Sequence, residues 1–76
     1  MTITDRKASR RERSAVDTLR RKLNVSYALL ADRLGRADSW VWERISDRSL
    51  VRYVPSSELG EIREMLRTMQ AERAKT

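Results

Sequence analysis

Arg6, Lys7, Arg10, Arg11 and Arg13 crowd five fixed positive charges into the start of the chain. Guanidinium and ammonium groups at this density attract anions, and the planar fork of arginine matches a pair of phosphate oxygens. Charge alone equally allows a solvated tail. The chemistry of catalysis is harder to find. The sequence has no His and no Cys, which removes the commonest general base, the thiolate nucleophile, disulfides and thiolate metal sites. It also has no glycine-rich phosphate loop and no clustered carboxylate motif. The expectation is a binding protein, not an enzyme, with no cofactor, no metal and no small-molecule substrate.

The elements that would position these charges are short. The chain has 76 residues and a formal net charge of +6, which predicts one domain with a small core. Residues 1–24 hold eight basic against three acidic side chains, and residues 25–76 hold nine against eight. The positive excess therefore sits in the first third. The longest apolar runs, as at 27–31, span a few residues, too short for a membrane span or a signal sequence, so a soluble cytoplasmic protein is expected.

Abundant Leu, Arg, Glu and Ala with two Gly and one Pro predict an all-α fold. A first helix is expected over about 14–23, with Val16, Leu19 and Leu23 on one stripe and Asn24 ending it. Ser26 is placed to cap a second helix over 27–34, whose buried face is Leu30, Ala31 and Leu34. Gly35 then closes it. Asp38 or Ser39 is expected to cap a third helix reaching about residue 46, anchored by Val41 and Ile45. Residues 47–56 read as a loop that Leu50, Tyr53 and Val54 could tuck onto the core. Ser56 or Ser57 is expected to cap a last helix, with Glu58 and Glu61 near its positive end. Its stripe is Leu59, Ile62, Leu66 and Met69, with Met65 beside it. The domain plan is a basic arm over 1–12, a folded unit over 13–69 and a frayed tail over 70–76.

A short helix, a Gly-containing turn and a second short helix meet the demands of a helix-turn-helix. The two backbones must cross closely, which the small Ala31 permits, and the chain must reverse sharply, which Gly35 permits. The spacing Leu30-Ala31-x-x-Leu34-Gly35, then Ser39-x-Val41 and Ile45, resembles the phage repressor and Cro-like helix-turn-helix family. The stretch 34–45, LGRADSWVWERI, looks most like small regulators of actinobacteria and their phages, and residues 54–59, VPSSEL, are similar to the family's entry into its fourth helix. Tyr27 stands where members often carry Gln, and Ile45 lies ten residues after Gly35 where many members have the anchor at nine.

The resemblance implies a compact, lambda-repressor-like domain of four or possibly five helices that binds double-stranded DNA. It implies a transcriptional regulator, with repression of the Cro or immunity-repressor type expected. If Val41 and Ile45 face the core, a 100° step per residue turns Ser39, Trp42, Glu43 and Ser46 outward. With Asp38, to which the resemblance also points, these are the expected base-contacting residues. Trp40 is expected at the edge of the core. Expected phosphate contacts are Tyr27, Arg36 and Arg44, joined by Arg6, Lys7, Arg10, Arg11 and Arg13 from the arm. Met65, Leu66 and Met69 are the candidate surface for a homodimer. Two other readings stand beside this one: an excisionase-like architectural protein, and a protein-binding module such as an antirepressor or antitoxin.

Overall fold

Ser9 and Glu12 start the first helix earlier than its apolar stripe predicts. The Ser9 hydroxyl accepts the Glu12 N–H at 3.1 Å and the Glu12 carboxylate accepts the Ser9 N–H at 2.9 Å, a reciprocal capping box. A computed structural model describes residues 5–75. It contains α1 (Arg10–Lys22), α2 (Tyr27–Leu34), α3 (Asp38–Ile45) and α4 (Ser56–Ala74), so the fold is all-α. No described helix is long and apolar enough to cross a membrane.

The turns follow from local chemistry. Asn24 takes a left-handed φ of 56°. Its N–H reaches the Arg21 carbonyl at 2.9 Å while Val25 N–H reaches that of Arg20 at 3.1 Å, the paired bonds that close a helix. Ser26 accepts the Leu29 N–H at 3.0 Å and starts α2. Gly35, at φ 68°, ends it in the same way as Asn24, with Arg36 N–H on the Ala31 carbonyl at 2.9 Å. An alanine at 35 meets open space, so the cost of Gly35→Ala is that of the left-handed backbone alone. It should destabilise the fold by about 1–2 kcal/mol in urea unfolding.

Neither α3 nor α4 has a side-chain bond from its N-cap residue, Ala37 or Pro55, contrary to the expectation for Asp38 or Ser39 and for Ser56 or Ser57. Pro55 precedes α4, and the cap comes from far away. The Asp5 carboxylate accepts the Ser57 N–H at 3.1 Å and both serine hydroxyls. The segment between Asp5 and Ser9 is strapped beside it. Ala8 N–H bonds the Val54 carbonyl at 2.8 Å and Ser56 N–H bonds that of Arg6 at 2.7 Å. The described part of the expected arm is therefore a fixed strap followed by the first turn of α1, and residues 1–4 lie outside the described region. At the other end, α4 carries the expected tail as helix to Ala74. Glu72 pairs with Arg33 at 2.9 Å, and Arg73 donates to the Leu23 carbonyl.

Both N-terminal carboxylates titrate low. Hydrogen bonds from Arg6 and then Ser9 hold Glu12 well below the usual carboxylate range, and bonds from Ser57 do the same, less strongly, for Asp5. The folded state thus binds fewer protons than the unfolded chain in acid. Their stabilisation is complete above the ordinary carboxylate pKa of about 4 and is lost as pH falls further. Melting temperature should fall below about pH 4, and Asp5→Asn with Glu12→Gln should reduce that slope.

The core is formed by Val16 of α1, Leu30 and Ala31 of α2, Val41 and Ile45 of α3, and Leu59, Ile62, Leu66 and Met69 of α4, closed by Ala8, Val25 and Val54. Leu66 and Met69 are 0% and 5% exposed. This corrects their assignment to a dimer surface: the stripe is spent on the monomer's own core, and Met65 is half-buried against it.

Candidate nucleic-acid interface

Ala31 is fully buried, α2 and α3 pack against each other, and three residues (Gly35 to Ala37) separate them. Two short packed helices joined by a three-residue turn with a glycine are elements that a helix-turn-helix requires. With Val41 and Ile45 buried, a 100° step per residue turns Ser39, Trp42 and Glu43 away from the core. Asp38 and Ser39 are exposed, Trp42 is 39% exposed, and the Glu43 side chain is 47% exposed. Three of the five expected base-contacting residues, Ser39, Trp42 and Glu43, therefore share one accessible face, while Asp38 is exposed at the first turn of α3 on the side of Val41 and Ile45. Trp40 packs at the edge of the core as expected.

Ser46 does not join them. Helix α3 stops at Ile45, and Ser46 adopts an extended ψ of 136°, so the helical step no longer sets its direction. Its side chain turns inward at 3% exposure and accepts the Arg48 N–H at 3.1 Å.

Several expected phosphate contacts are committed elsewhere. Arg13 is 2% exposed. Its Nε donates to the Arg44 carbonyl at 2.7 Å, Nη2 to that of Glu43 at 3.0 Å, and Nη1 to that of Val51 at 2.9 Å. A helix C-terminus offers unpaired carbonyls and partial negative charge, and a guanidinium answers both. Burial, with Arg10 nearby, lowers the Arg13 pKa. Arg13 is thus the post that holds the end of α3, and its assignment to phosphate is withdrawn. Tyr27 donates its hydroxyl to Asp17 at 3.1 Å, beneath the Arg20 guanidinium 4.0 Å from its ring. Burial first and Asp17 second raise its pKa. Its hydroxyl faces the protein rather than a backbone outside it.

The arginines of the helix-turn-helix are each matched by a glutamate of α4. Arg33 pairs with Glu72 at 2.9 Å, Arg36 with Glu61 at 3.1 Å and Arg44 with Glu58 at 2.8 Å. The Arg36 and Arg44 guanidiniums also stack on Trp40, at 4.3 and 4.1 Å, and Arg44 donates to the Trp40 carbonyl at 2.9 Å. Arg6 is held by Glu12 through two bonds of 2.9 and 2.8 Å. Exposed pairs of this kind are weak, so Arg6 and Arg36 can exchange partners. Arg44, with 19% of its side chain exposed, is the most tightly held of the three.

Part of the unneutralised charge gathers around the start of α1 and the loop that follows α3. Lys7, Arg10, Arg11, Arg48 and Arg52 are exposed, and among the described residues they form no ion pair. Lys7, Arg10 and Arg52 line a cleft of about 450 Å³ floored by Ala8, Ser9 and Arg13 and free of carboxylates. Sequence reasoning did not single out Arg48 and Arg52 as candidate phosphate contacts, although both are exposed and outside any ion pair among the described residues. The available signal was a loop, 47–55, holding two arginines and a single acid, Asp47.

No protein-family model, curated protein or solved structure that was compared with the chain matches it. The functional reading therefore rests on the chain's own geometry and charge.

Proposed function

We propose that the chain is a sequence-specific double-stranded DNA-binding regulator, acting by occluding a promoter in the manner of a Cro or immunity repressor, and not an enzyme. The observation that carries this reading is the α2–turn–α3 unit, in which the buried Val41 and Ile45 leave Ser39, Trp42 and Glu43 on an accessible face, with Asp38 exposed at the start of the helix. Such a face suits the major groove. Ser39 can bond a base edge or phosphate, Glu43 can accept from a cytosine amino group, and the Trp42 ring can lie on a thymine methyl.

This face carries the Glu43 carboxylate, and Asp38 is exposed at the start of the same helix, so the element repels a duplex unless flanking cations hold the backbone. Lys7, Arg10, Arg11, Arg48 and Arg52 supply that attraction without being cancelled by acids of the same chain. Phosphate contacts fix position and base contacts select sequence. The excisionase-like reading has less support: residues 46–54 carry no strand, and the bridge between Lys7 and Pro55 is isolated. The exposed Trp42, Leu50 and Tyr53 favour a protein-binding module as the second reading, and its contact would be nearly insensitive to salt.

Selection from a pool of random duplexes tests the proposal. The full chain should enrich a defined site, with affinity falling steeply as salt rises. Ser39→Ala or Glu43→Ala should enrich an altered site while stability is unchanged. Enrichment of no sequence, or the same site for wild type and Glu43→Ala, would remove α3 as the reading element.

A further inference from the structure

Leu50 is 92% exposed, contrary to the expectation that it packs on the core, yet the backbone on both sides of it is pinned. Ser49 is buried and donates its hydroxyl to the Glu43 carbonyl. The same hydroxyl accepts the Val51 N–H at 3.2 Å, and Arg13 holds the Val51 carbonyl at 2.9 Å. The loop thus presents Leu50 outward on a fixed base, where folding gains nothing from its apolar surface.

Leu50, Val51 and Trp42 line a shallow groove of about 420 Å³, with Glu43, Arg48 and Ser49 completing it. Trp42 belongs to the outer face of α3, so the groove continues that face past the end of the helix. Arg48 and Arg52 stand two residues to either side of Leu50, exposed and outside any ion pair among the described residues. An apolar groove with the unneutralised Arg48 guanidinium in its wall matches a surface that offers a small apolar group beside an anion. The thymine C5-methyl is the apolar group that a base pair presents in the major groove, and phosphates run along both sides of it.

We infer that Leu50 and Trp42 together form a receptor for a thymine C5-methyl group, with Arg48 on a neighbouring phosphate. This rests on the DNA-binding reading above and adds to it a specificity residue outside α3. The carboxylate of Glu43 at the groove's edge disfavours a phosphate inside the groove itself, which leaves the base edge as the occupant.

Deoxyuridine differs from thymidine by this methyl alone and keeps the same pairing. The full chain is titrated with an alternating dA·dT duplex of about 30 base pairs, roughly three helical turns, and with the same duplex carrying deoxyuridine at every thymidine. Burying one methyl corresponds to about a fourfold change in affinity. Wild type should bind the thymidine duplex about fourfold more tightly or better, and Leu50→Ala should bind both at the deoxyuridine affinity. Because Leu50 is exposed, the variant should melt with wild type, which circular dichroism verifies. Equal wild-type affinities, or a Leu50→Ala protein that keeps the thymidine preference, would overturn the inference. Binding to neither duplex at about 0.05 M salt, where electrostatic association is strong, would defeat the DNA-binding reading and the inference with it.

Discussion

Arg13→Met should be the most destabilising single substitution at a charged position. The methionine fills much of the same space but donates nothing. Ser49 still serves the Glu43 carbonyl, whereas the carbonyls of Arg44 and Val51 have no other partner among the described residues. Leaving a buried acceptor unpaired costs about 1–3 kcal/mol, and loss of a charged donor raises that figure, so about 3–5 kcal/mol is expected. A domain of this size has a total stability of roughly 4–11 kcal/mol at about 0.05–0.15 kcal/mol per residue. The variant should therefore melt at least about 12 °C lower, taking roughly 4–8 °C per kcal/mol. Arg13→Lys keeps the charge but not the three-way fork, and should fall between. Thermal unfolding followed by circular dichroism reads both. A Met variant melting within about 2 °C of wild type would show that the three carbonyl contacts do not hold the end of α3.

Removing the cleft's charge should have the largest effect on binding. Lys7, Arg10 and Arg52 have no carboxylate among their cleft neighbours, so their full charge is available to phosphates. Each phosphate neutralised contributes about −0.9 to the slope of log affinity against log salt. The triple variant Lys7→Ala, Arg10→Ala, Arg52→Ala should flatten that slope by about 2.7 and weaken binding at about 0.1 M salt by two to three orders of magnitude. The loss should be similar for every duplex sequence, because backbone contacts carry no base information. Lys22→Ala, at the other end of α1 and about 18 Å along its axis, should change the slope far less. Fluorescence anisotropy with a labelled duplex at several salt concentrations measures all of these. An unchanged slope in the triple variant would place the DNA on another surface.

The parts of the fold that were legible in the sequence are those set by near neighbours. Ser26, Gly35 and the Val41–Ile45 spacing each act within one or two helical turns, and each does what its residue type predicts. The capping box of Ser9 and Glu12 was equally local, but it lies inside the run of basic residues, whose charge suggested a loose arm. What was not legible depends on distant partners. Arg13 looks like its basic neighbours until α3, some thirty residues later, presents carbonyls that only one guanidinium can reach. The cap on α4 comes from Asp5, across the whole chain. Ser46 was placed outward by extending the helical step one residue past Ile45, where the backbone has already become extended. Leu66 and Met69 show the converse: their stripe was read correctly, but its period cannot say whether a neighbouring helix or a second molecule covers it.

The two tryptophans give the most direct test, because they stand two residues apart with opposite roles. Trp42 lies on the proposed reading face, while Trp40 is packed at the edge of the core beneath Arg36 and Arg44. Each contributes one indole N–H signal to a heteronuclear NMR spectrum of the full chain. On adding a duplex of the selected sequence, the account predicts that the Trp42 indole and the amides of Asp38, Ser39 and Glu43 shift strongly while the Trp40 indole moves little. Shifts confined to residues off α3, or a Trp40 signal that responds more than that of Trp42, would contradict it.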